Sequence, residues 1–333
     1  MLDKDKGAFV FIKNLFFVSL LLIIVVANVE ATRAETYTSV EPAGDTYLLQ
    51  GEYSGTADAW GGAWGAQVVA LANSEFDVVL FPGGLPGDGF RADTAKKQIN
   101  AKADGKTAVG SSESFHITVG DNSLAISDLE DKPVGVLTKV NRQSVTLGAP
   151  APEGSVVLFD GSNVDKFRDA TLIDGRYLGS GCESLESFGD HQLHIEFCTP
   201  FMPKDRGQAR GNSGVYVQGR YEVQVLDSFG LESKDNDCGG IYQVAKPLVN
   251  MCYPPLVWQT YDIDLTAAKY DAQGAKTSNA LISVKQNGIV IHDSLELPGH
   301  TPGKSQEANS PGPLYLQDHG NPVVFQNIWI VKK

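Results

Sequence analysis

The sequence has 333 residues, with 27 Lys and Arg against 40 Asp and Glu, which gives a formal net charge of -13 at pH 7. Phosphate backbones require basic partners, so this acidic balance, with no basic patch interleaved with aromatic residues, argues against a nucleic-acid-binding function. At ~150 residues per domain, the length predicts two domains.

In the N-terminal segment, basic residues, an apolar stretch and small residues follow one another in the order that is typical of a secretory signal. Lys4, Lys6 and Lys13 precede the apolar, uncharged stretch 15–29, and the small residues Ala31 and Ala34 offer cleavage points. An uncleaved membrane anchor is the alternative, but the stretch is shorter than the ~20 residues that a spanning helix needs. We therefore expect a signal peptide over residues 1–34, no stable membrane span after cleavage, and a secreted or periplasmic protein.

Residues 35–146 are rich in glycine and in short apolar runs, which predicts a small β-rich domain whose role the sequence does not indicate. Strands are expected over 46–53, 66–72 and 76–81, the last two joined as a hairpin. Residues 92–102 have helical composition. Residues 147–154 contain two prolines and two glycines and therefore predict a linker between domains.

Residues 155–333 read as successive strands with period-2 alternation, which favours an all-β sandwich. Residues two apart in a strand share a face. On this basis four strands place polar side chains on what is expected to be one sheet face: His194 and Glu196; Asn212, Tyr216 and Gln218 with Gly214; Glu222 and Gln224; and Tyr315, Gln317 and His319. Such a face suits a sugar, and Gly214 would leave room for a ligand. The alternative is an ordinary solvated sheet face.

Four cysteines lie in the second half of the chain. In an exported protein an even number favours disulfides over metal binding. We expect Cys182 to pair with Cys198 and Cys238 with Cys252, because each pair flanks a short segment. Free buried thiols are the alternative.

Seven motifs, in order, resemble the 3-keto-disaccharide hydrolase domain family over about residues 155–333. They are VLFDG at 157–161, GNSGVY at 211–216, YEVQVLDS at 221–228, CGGIY at 238–242, WQTY at 258–261, NGIV at 287–290 and QDHGNPVVFQNIWI at 317–330. Two positions depart from the family, which commonly has Asn where Gln259 stands and Arg where Gln326 stands. The resemblance implies a concanavalin-like sandwich, similar to glycoside hydrolase family 16, that acts on glycosides oxidised to a ketone at C3.

A ketone at C3 acidifies the hydrogen at C2, so a base can start an elimination that releases the C1 substituent before water adds back. With the resemblance, we assign Glu222 as the base and His319 as the acid or oxygen donor. Asp227 is a further catalytic candidate. Its odd-numbered position in the strand places its side chain on the face opposite Glu222, so a β-bulge would be needed to bring it to the face of Glu222. The expected substrate-binding residues are Asn212, Tyr216, Gln224, Gln317, Glu196 and Tyr242.

Two other functions fit the sequence. A retaining glycosidase needs two carboxyl groups ~5–5.5 Å apart, but the same-face neighbour of Glu222 is Gln224, which cannot ionise. A non-catalytic lectin-like module needs only the polar face.

No spacing indicates a zinc site. No cofactor is expected, apart from a calcium ion that the acidic segment 235–237 could bind. Carbohydrate is the expected partner, and the sequence carries no sign of oligomeric state.

Overall fold

The computed structural model describes residues 35–333, and eight antiparallel strands close into a barrel in the first part of this range. A short helix, α1 (Gly44–Leu49), precedes them. The strands are β1 (Gly51–Thr56), β2 (Ala63–Ala70), β3 (Glu75–Pro82), β4 (Lys97–Asp104), β5 (Thr107–Ser111), β6 (His116–Val119), β7 (Ser123–Ser127) and β8 (Pro133–Val140). Because β1 pairs with both β2 and β8, the barrel has no free edge.

The second part of the chain is a sandwich of two antiparallel sheets. Its strands are β9 (Val156–Phe159), β10 (Phe167–Arg168), β11 (Leu172–Ile173), β12 (Tyr177–Gly179), β13 (Cys182–Phe188), β14 (His191–Cys198), β15 (Ser213–Val217), β16 (Tyr221–Val225), β17 (Gln259–Thr266), β18 (Lys269–Tyr270), β19 (Lys276–Ser278), β20 (Ala280–Gln286), β21 (Ile289–Leu297), β22 (Gly312–Leu316) and β23 (Val324–Lys332). Short 3-10 helices span Glu41–Ala43, Asp58–Trp60, Ala72–Ser74 and Gly207–Ala209. The predicted all-β sandwich with a smaller β-rich region before it is confirmed.

The two sheets of the sandwich contain different strands. The five-stranded sheet has the order β10-β13-β22-β15-β16, and the larger sheet has the order β11-β12-β23-β14-β17-β20-β21, with β9 added beside β23. Strands β18 and β19 form a separate ribbon. Apolar residues of both sheets alternate inward and form one core, as Val215 and Val223 meet Ile195 and Ile263 within it.

Strand β2 joins the barrel to the sandwich because both of its faces are buried. Val68 points into the barrel core, whereas its neighbour Val69 belongs to the core of the sandwich. Gly230, at φ 78°, packs against Val69 so closely that a Cβ there would lie 2.3 Å from Cγ2. A larger residue at position 230 would therefore force the barrel away from the sandwich.

Several details of the sequence prediction are wrong. Residues 97–102 of the predicted helix 92–102 belong to β4, because pairing with β3 (Phe76 opposite Ala101) outweighs local composition. The predicted strand 46–53 begins as α1 and becomes a strand only at Gly51. The hairpin of β2 and β3 is confirmed.

Both predicted disulfides are also wrong, because all four thiols are free. Cys182 lies in the five-stranded sheet and Cys198 in the larger one. The Cys238 sulfur lies 3.3 Å from the Tyr261 hydroxyl oxygen, and the Cys252 thiol donates to the Leu226 carbonyl at 3.4 Å.

The predicted signal peptide, residues 1–34, lies outside the described residues. Within residues 35–333, no helix has the length and apolar character needed to cross a membrane. The division into residues 35–146, 147–154 and 155–333 stays a prediction.

Candidate active site

The polar residues that the alternation of side chains along each strand predicted to share one sheet face lie on two different sheets. Strands β15, β16 and β22 are neighbours in the five-stranded sheet, but β14, which carries His194 and Glu196, belongs to the larger sheet. The expectation of a single four-strand face is therefore wrong for β14. The alternation of side chains within one strand does not indicate which of two sheets that strand joins.

Register brings the remaining residues together. Tyr216 of β15 lies opposite Glu222 of β16 on one side and opposite Tyr315 of β22 on the other, and Gly214 lies opposite Gln224. Because Val215 and Val223 fill the core, these even-numbered side chains of β15 and β16 lie on the outer face of the sheet.

Glu222 is a buried carboxyl group, with only 2% of its surface exposed. Burial raises the pKa of Glu222 from 4.5 to about 7, although a hydrogen bond from Tyr216 opposes the shift. The Tyr216 hydroxyl donates to Glu222 Oε2 at 2.7 Å. Burial, together with this carboxylate, raises the pKa of Tyr216, so the phenol keeps its proton and acts as the donor when Glu222 is ionised.

Gly214 makes room for the Glu222 side chain rather than for a ligand alone. A Cβ at position 214 would lie 2.3 Å from Glu222 Oε1 and 3.0 Å from a ring carbon of Tyr216. The carboxyl group therefore folds back over the backbone of the neighbouring strand, which only glycine allows.

Amide side chains extend the polar surface beyond Glu222. Gln224 Nε2 donates to Asn212 Oδ1 at 2.9 Å, and Asn212 Nδ2 donates to the carbonyl of Gln208 at 2.7 Å. Gln317 Nε2 donates to the Tyr216 oxygen at 3.3 Å, and its Oε1 is buried without a partner among the described residues. An acceptor held this way is available to a hydroxyl group of a ligand.

The loop between β21 and β22 covers Glu222. Thr301 Oγ1 accepts a hydrogen bond from the Glu222 backbone N–H at 2.9 Å, and the carbonyl of Pro302 lies 3.0 Å from the Tyr216 hydroxyl. A Cβ on Gly303 would lie 2.3 Å from that hydroxyl. The sequence patterns did not assign Thr301 or Pro302 to the site.

The other predicted catalytic residues lie outside the Glu222 cluster. His319 is exposed in the turn after β22, and no hydrogen bond or ion pair joins its ring to another described residue. Asp227 is buried and forms an ion pair with Arg210, Nε to Oδ2 at 2.6 Å. Arg210 also donates to the carbonyl of Ala70 in the barrel. The contacts of Asp227 thus hold the sandwich to the barrel and do not support its predicted catalytic role.

Tyr242 lies beside the site through its backbone, because its N–H donates to the Glu222 carbonyl at 3.2 Å, and its side chain is half-buried.

No cluster of three or more His, Cys, Asp or Glu in residues 35–333 is placed to bind a metal ion. In the acidic segment 235–237, Asp237 Oδ2 instead accepts from the Lys234 N–H at 2.9 Å.

Glu196, a predicted substrate-binding residue, has a separate environment on the larger sheet. Its carboxylate accepts from the Gly148 N–H (2.6 Å), Gln326 Nε2 (2.7 Å) and Asn327 Nδ2 (2.8 Å), and His194 Nε2 lies 3.4 Å away. Burial alone would raise the pKa of Glu196, but these hydrogen bonds lower it. The carboxylate thereby ties the predicted linker to the sandwich.

Both departures from the family pattern are on this larger sheet. Gln326 of β23 contacts Glu196, and Gln259 of β17 is fully buried, where its Oε1 accepts from the Tyr253 N–H at 2.9 Å. Neither side chain is on the sheet that carries Glu222. The departures therefore leave the Glu222 cluster unchanged.

The second part of the chain is similar to a known family and to solved structures. The family model for the 3-keto-alpha-glucoside-1,2-lyase-like domain matches residues 154–331. A solved structure of a candidate glycosyl hydrolase from Parabacteroides distasonis ATCC 8503 is 31% identical, covering 55% of this chain and 85% of its own, with a TM-score of 0.50. Another from the same organism is 17% identical over 54% of this chain and 94% of its own, with a TM-score of 0.40. No curated protein matches the chain.

Proposed function

Because the chain belongs to the 3-keto-alpha-glucoside-1,2-lyase-like domain family, a glycosyl hydrolase-like family, we propose that it cleaves glycosides that carry a ketone at C3, with Glu222 as the base. The family match confirms the resemblance that the motifs indicated. The observation that carries the proposal is the buried Glu222 carboxyl, whose pKa of about 7 suits proton transfer near neutral pH.

The reaction begins when the Glu222 carboxylate takes the proton from C2. The electrons of the C–H bond form an enolate with the C3 oxygen, then a double bond between C1 and C2 as the bond from C1 to the glycosidic oxygen breaks. The departing oxygen takes a proton, for which His319 is the proposed donor. Water then adds its oxygen to C1 and a proton returns to C2, so the net reaction is hydrolysis.

The amides around Glu222 are the proposed binding groups for the sugar. Asn212, Gln224 and Gln317 offer both donors and acceptors, and the unpartnered Oε1 of Gln317 suits a substrate hydroxyl. With Gln224 beside Glu222, the strand lacks the second carboxyl that a retaining glycosidase needs. A single base fits elimination better than direct displacement.

The ionisation of Glu222 is linked to the hydrogen bonding of the covering loop through the single hydrogen of the Tyr216 hydroxyl. The Tyr216 hydroxyl carries one hydrogen, yet it lies 2.7 Å from Glu222 Oε2 and 3.0 Å from the Pro302 carbonyl. When Glu222 is protonated, it donates to Tyr216 and Tyr216 donates to Pro302. When Glu222 is ionised, Tyr216 donates to the carboxylate and Pro302 loses its donor. The active base and a loosened loop therefore occur together, which suits a site whose base is buried in the closed form.

The test is product analysis with 3-keto disaccharides and with the same disaccharides unoxidised, in water and in deuterium oxide. We expect turnover of the 3-keto substrates only, with deuterium at C2 of the released 3-keto sugar. Product incubated without the protein controls for spontaneous exchange. Turnover of unoxidised substrates without deuterium at C2 would overturn the elimination in favour of a retaining glycosidase. Absence of turnover with every substrate would favour a binding module.

A further inference from the structure

A cavity of about 480 Å³ lies where the end of the barrel meets the sandwich. The barrel contributes α1, the start of β1, the turn between β6 and β7, and residues 139–143, which span the end of β8 and the segment after it. The sandwich contributes residues 254 and 256–258. None of the lining residues belongs to the Glu222 cluster. The volume falls within the ~300–1,000 Å³ typical of small-molecule sites.

A buried donor without a partner lines this cavity. Gln50 is 3% exposed, and its Oε1 accepts from the Ala70 N–H at 3.0 Å. Its Nε2 has no hydrogen-bond partner among the described residues. A buried N–H group left unpaired destabilises the fold, so this amide is suited to donate to an oxygen of a bound molecule.

The charges around the cavity cancel. Arg142 donates through Nε and Nη2 to both oxygens of Glu52, at 2.7 and 2.5 Å, and so neutralises that buried carboxylate. Asp121 and Lys139 add one charge of each sign. Because no net charge remains, the lining suits a neutral ligand rather than a phosphate or a carboxylate.

The sandwich wall supplies an aromatic surface. Trp258 is half-buried, and its ring centroid lies 5.1 Å from that of Tyr177. Next to it in the wall, Leu256 has a φ of 65°, which is strained for a side chain of this size. Its N–H donates to the Thr199 carbonyl at 2.9 Å, which holds the segment in place. Strain of this kind is common where a binding surface is positioned.

We propose that this cavity is a second carbohydrate site, which binds a neutral sugar of one or two rings. The apolar face of a sugar ring would lie on Trp258, and its hydroxyl groups would accept from Gln50 Nε2 and contact the exposed amides of Asn122 and Gln143 at the mouth. The site does not depend on the reaction at Glu222. It gives the barrel a role in holding glycan.

Calorimetric titration of the protein with maltose, cellobiose and trehalose tests the site. We expect at least one of them to bind, and Trp258→Leu to weaken that binding about tenfold or more, which corresponds to the loss of an aromatic contact. Trp60→Leu, which removes another half-buried tryptophan outside the cavity, should leave the affinity unchanged.

A second pair of variants guards against misfolding of Trp258→Leu. Asn122→Ala combined with Gln143→Ala removes two exposed amides of the cavity mouth, and Gln98→Ala combined with Asn163→Ala removes two exposed amides elsewhere. Only the first pair should weaken binding, and Glu222→Gln should leave it intact. The proposal is overturned if none of the three sugars binds, if both pairs act alike, or if Glu222→Gln abolishes the binding.

Discussion

The two sheets of the sandwich each bury a glutamate that alternates with apolar core residues, yet the two carboxyl groups differ in almost every contact. Glu196 accepts hydrogen bonds from a backbone N–H and two amides and lies beside His194. Glu222 has one side-chain donor, Tyr216. The pKa of Glu196 is lowered in spite of burial, whereas burial raises the pKa of Glu222 to about 7.

This difference is the reason why we propose a structural role for Glu196 and a reactive role for Glu222. A charge that is fully hydrogen-bonded by the protein is stable as an ion and has no lone pair left for a substrate. A carboxyl group with one donor, in a dry site, holds its proton weakly near neutral pH and can exchange it. Because both groups are buried, the number of hydrogen-bond donors around each one is what distinguishes them, and it is the basis for proposing Glu222 rather than Glu196 as the base.

The largest expected effect is on catalysis. Glu222→Gln should lower kcat/KM for a 3-keto disaccharide by about 10²–10⁴-fold, the range for loss of a general base. The matched variant Glu196→Gln should lower it by less than about tenfold while it weakens the attachment of the linker. Steady-state kinetics and thermal unfolding of both variants measure the contrast.

Equal losses of kcat/KM in the two variants, with both proteins folded, would remove the distinction between the sheets. Full activity of Glu222→Gln would exclude Glu222 as the base.

The next effect concerns stability against pH. Since the folded-state pKa of Glu222 is about 7 and its ordinary value is 4.5, the folded protein retains a proton that the unfolded chain releases between these values. The free energy of unfolding should therefore fall by ~3 kcal/mol as pH rises from 4.5 to above 7. Glu222→Gln should abolish this component in urea unfolding at pH 4.5, 6 and 8.

Glu196 should show the opposite sign, which makes Glu196→Gln the control. Its folded-state pKa is lowered, so its contribution is present above the ordinary pKa of a glutamate and is lost as the pH falls. A wild-type profile that matches Glu222→Gln at all three pH values would show that Glu222 is ionised normally and would contradict its raised pKa.

Most of the fold could be predicted because period-2 alternation is a local property. It placed β15, β16 and β22, and it correctly sorted Val215 and Val223 from Tyr216 and Glu222. The closed barrel could not be predicted, since closure depends on pairing of β1 with β8 across 80 or more residues of sequence, as between Thr56 and Val136 at the near end of the register. The predicted helix at 92–102 failed for the same reason, because β3 decides the state of β4.

Which of the candidate site residues lie together was predicted in part. Glu222, Tyr216 and Gln224 come together because they lie on two strands joined by a tight turn, so local parity was sufficient. Glu196 was misplaced because sheet membership is a long-range property. Thr301 and Pro302 contact Glu222 and Tyr216 from about 80 positions further along the chain, and nothing in the composition of a loop specifies where it folds back.

Tyr216 offers a smaller test of the Glu222 site. Tyr216→Phe removes the hydrogen bond that lowers the pKa of Glu222, so this pKa should rise further and the rising limb of the pH profile of kcat/KM should move to higher pH. We expect a loss of about tenfold at pH 7 and a smaller loss at pH 9, as suits one hydrogen bond to a charged group. Tyr315→Phe, on the neighbouring strand, is the control. An unchanged pH profile in Tyr216→Phe would exclude its proposed role.

The smallest effect is expected from Gln326→Arg, which introduces the residue that the family commonly has. Gln326 Nε2 contacts Glu196 Oε2 on the larger sheet, so a guanidinium there would pair with Glu196 rather than reach Glu222. Because the carboxylate already has its donors, kcat/KM should change by less than about threefold, while the free energy of unfolding shifts by about 1 kcal/mol in either direction. A large gain in kcat/KM would mean that substrate reaches the larger sheet. The assignment of Glu196 as a structural carboxylate and of Glu222 as the reactive one would then be wrong.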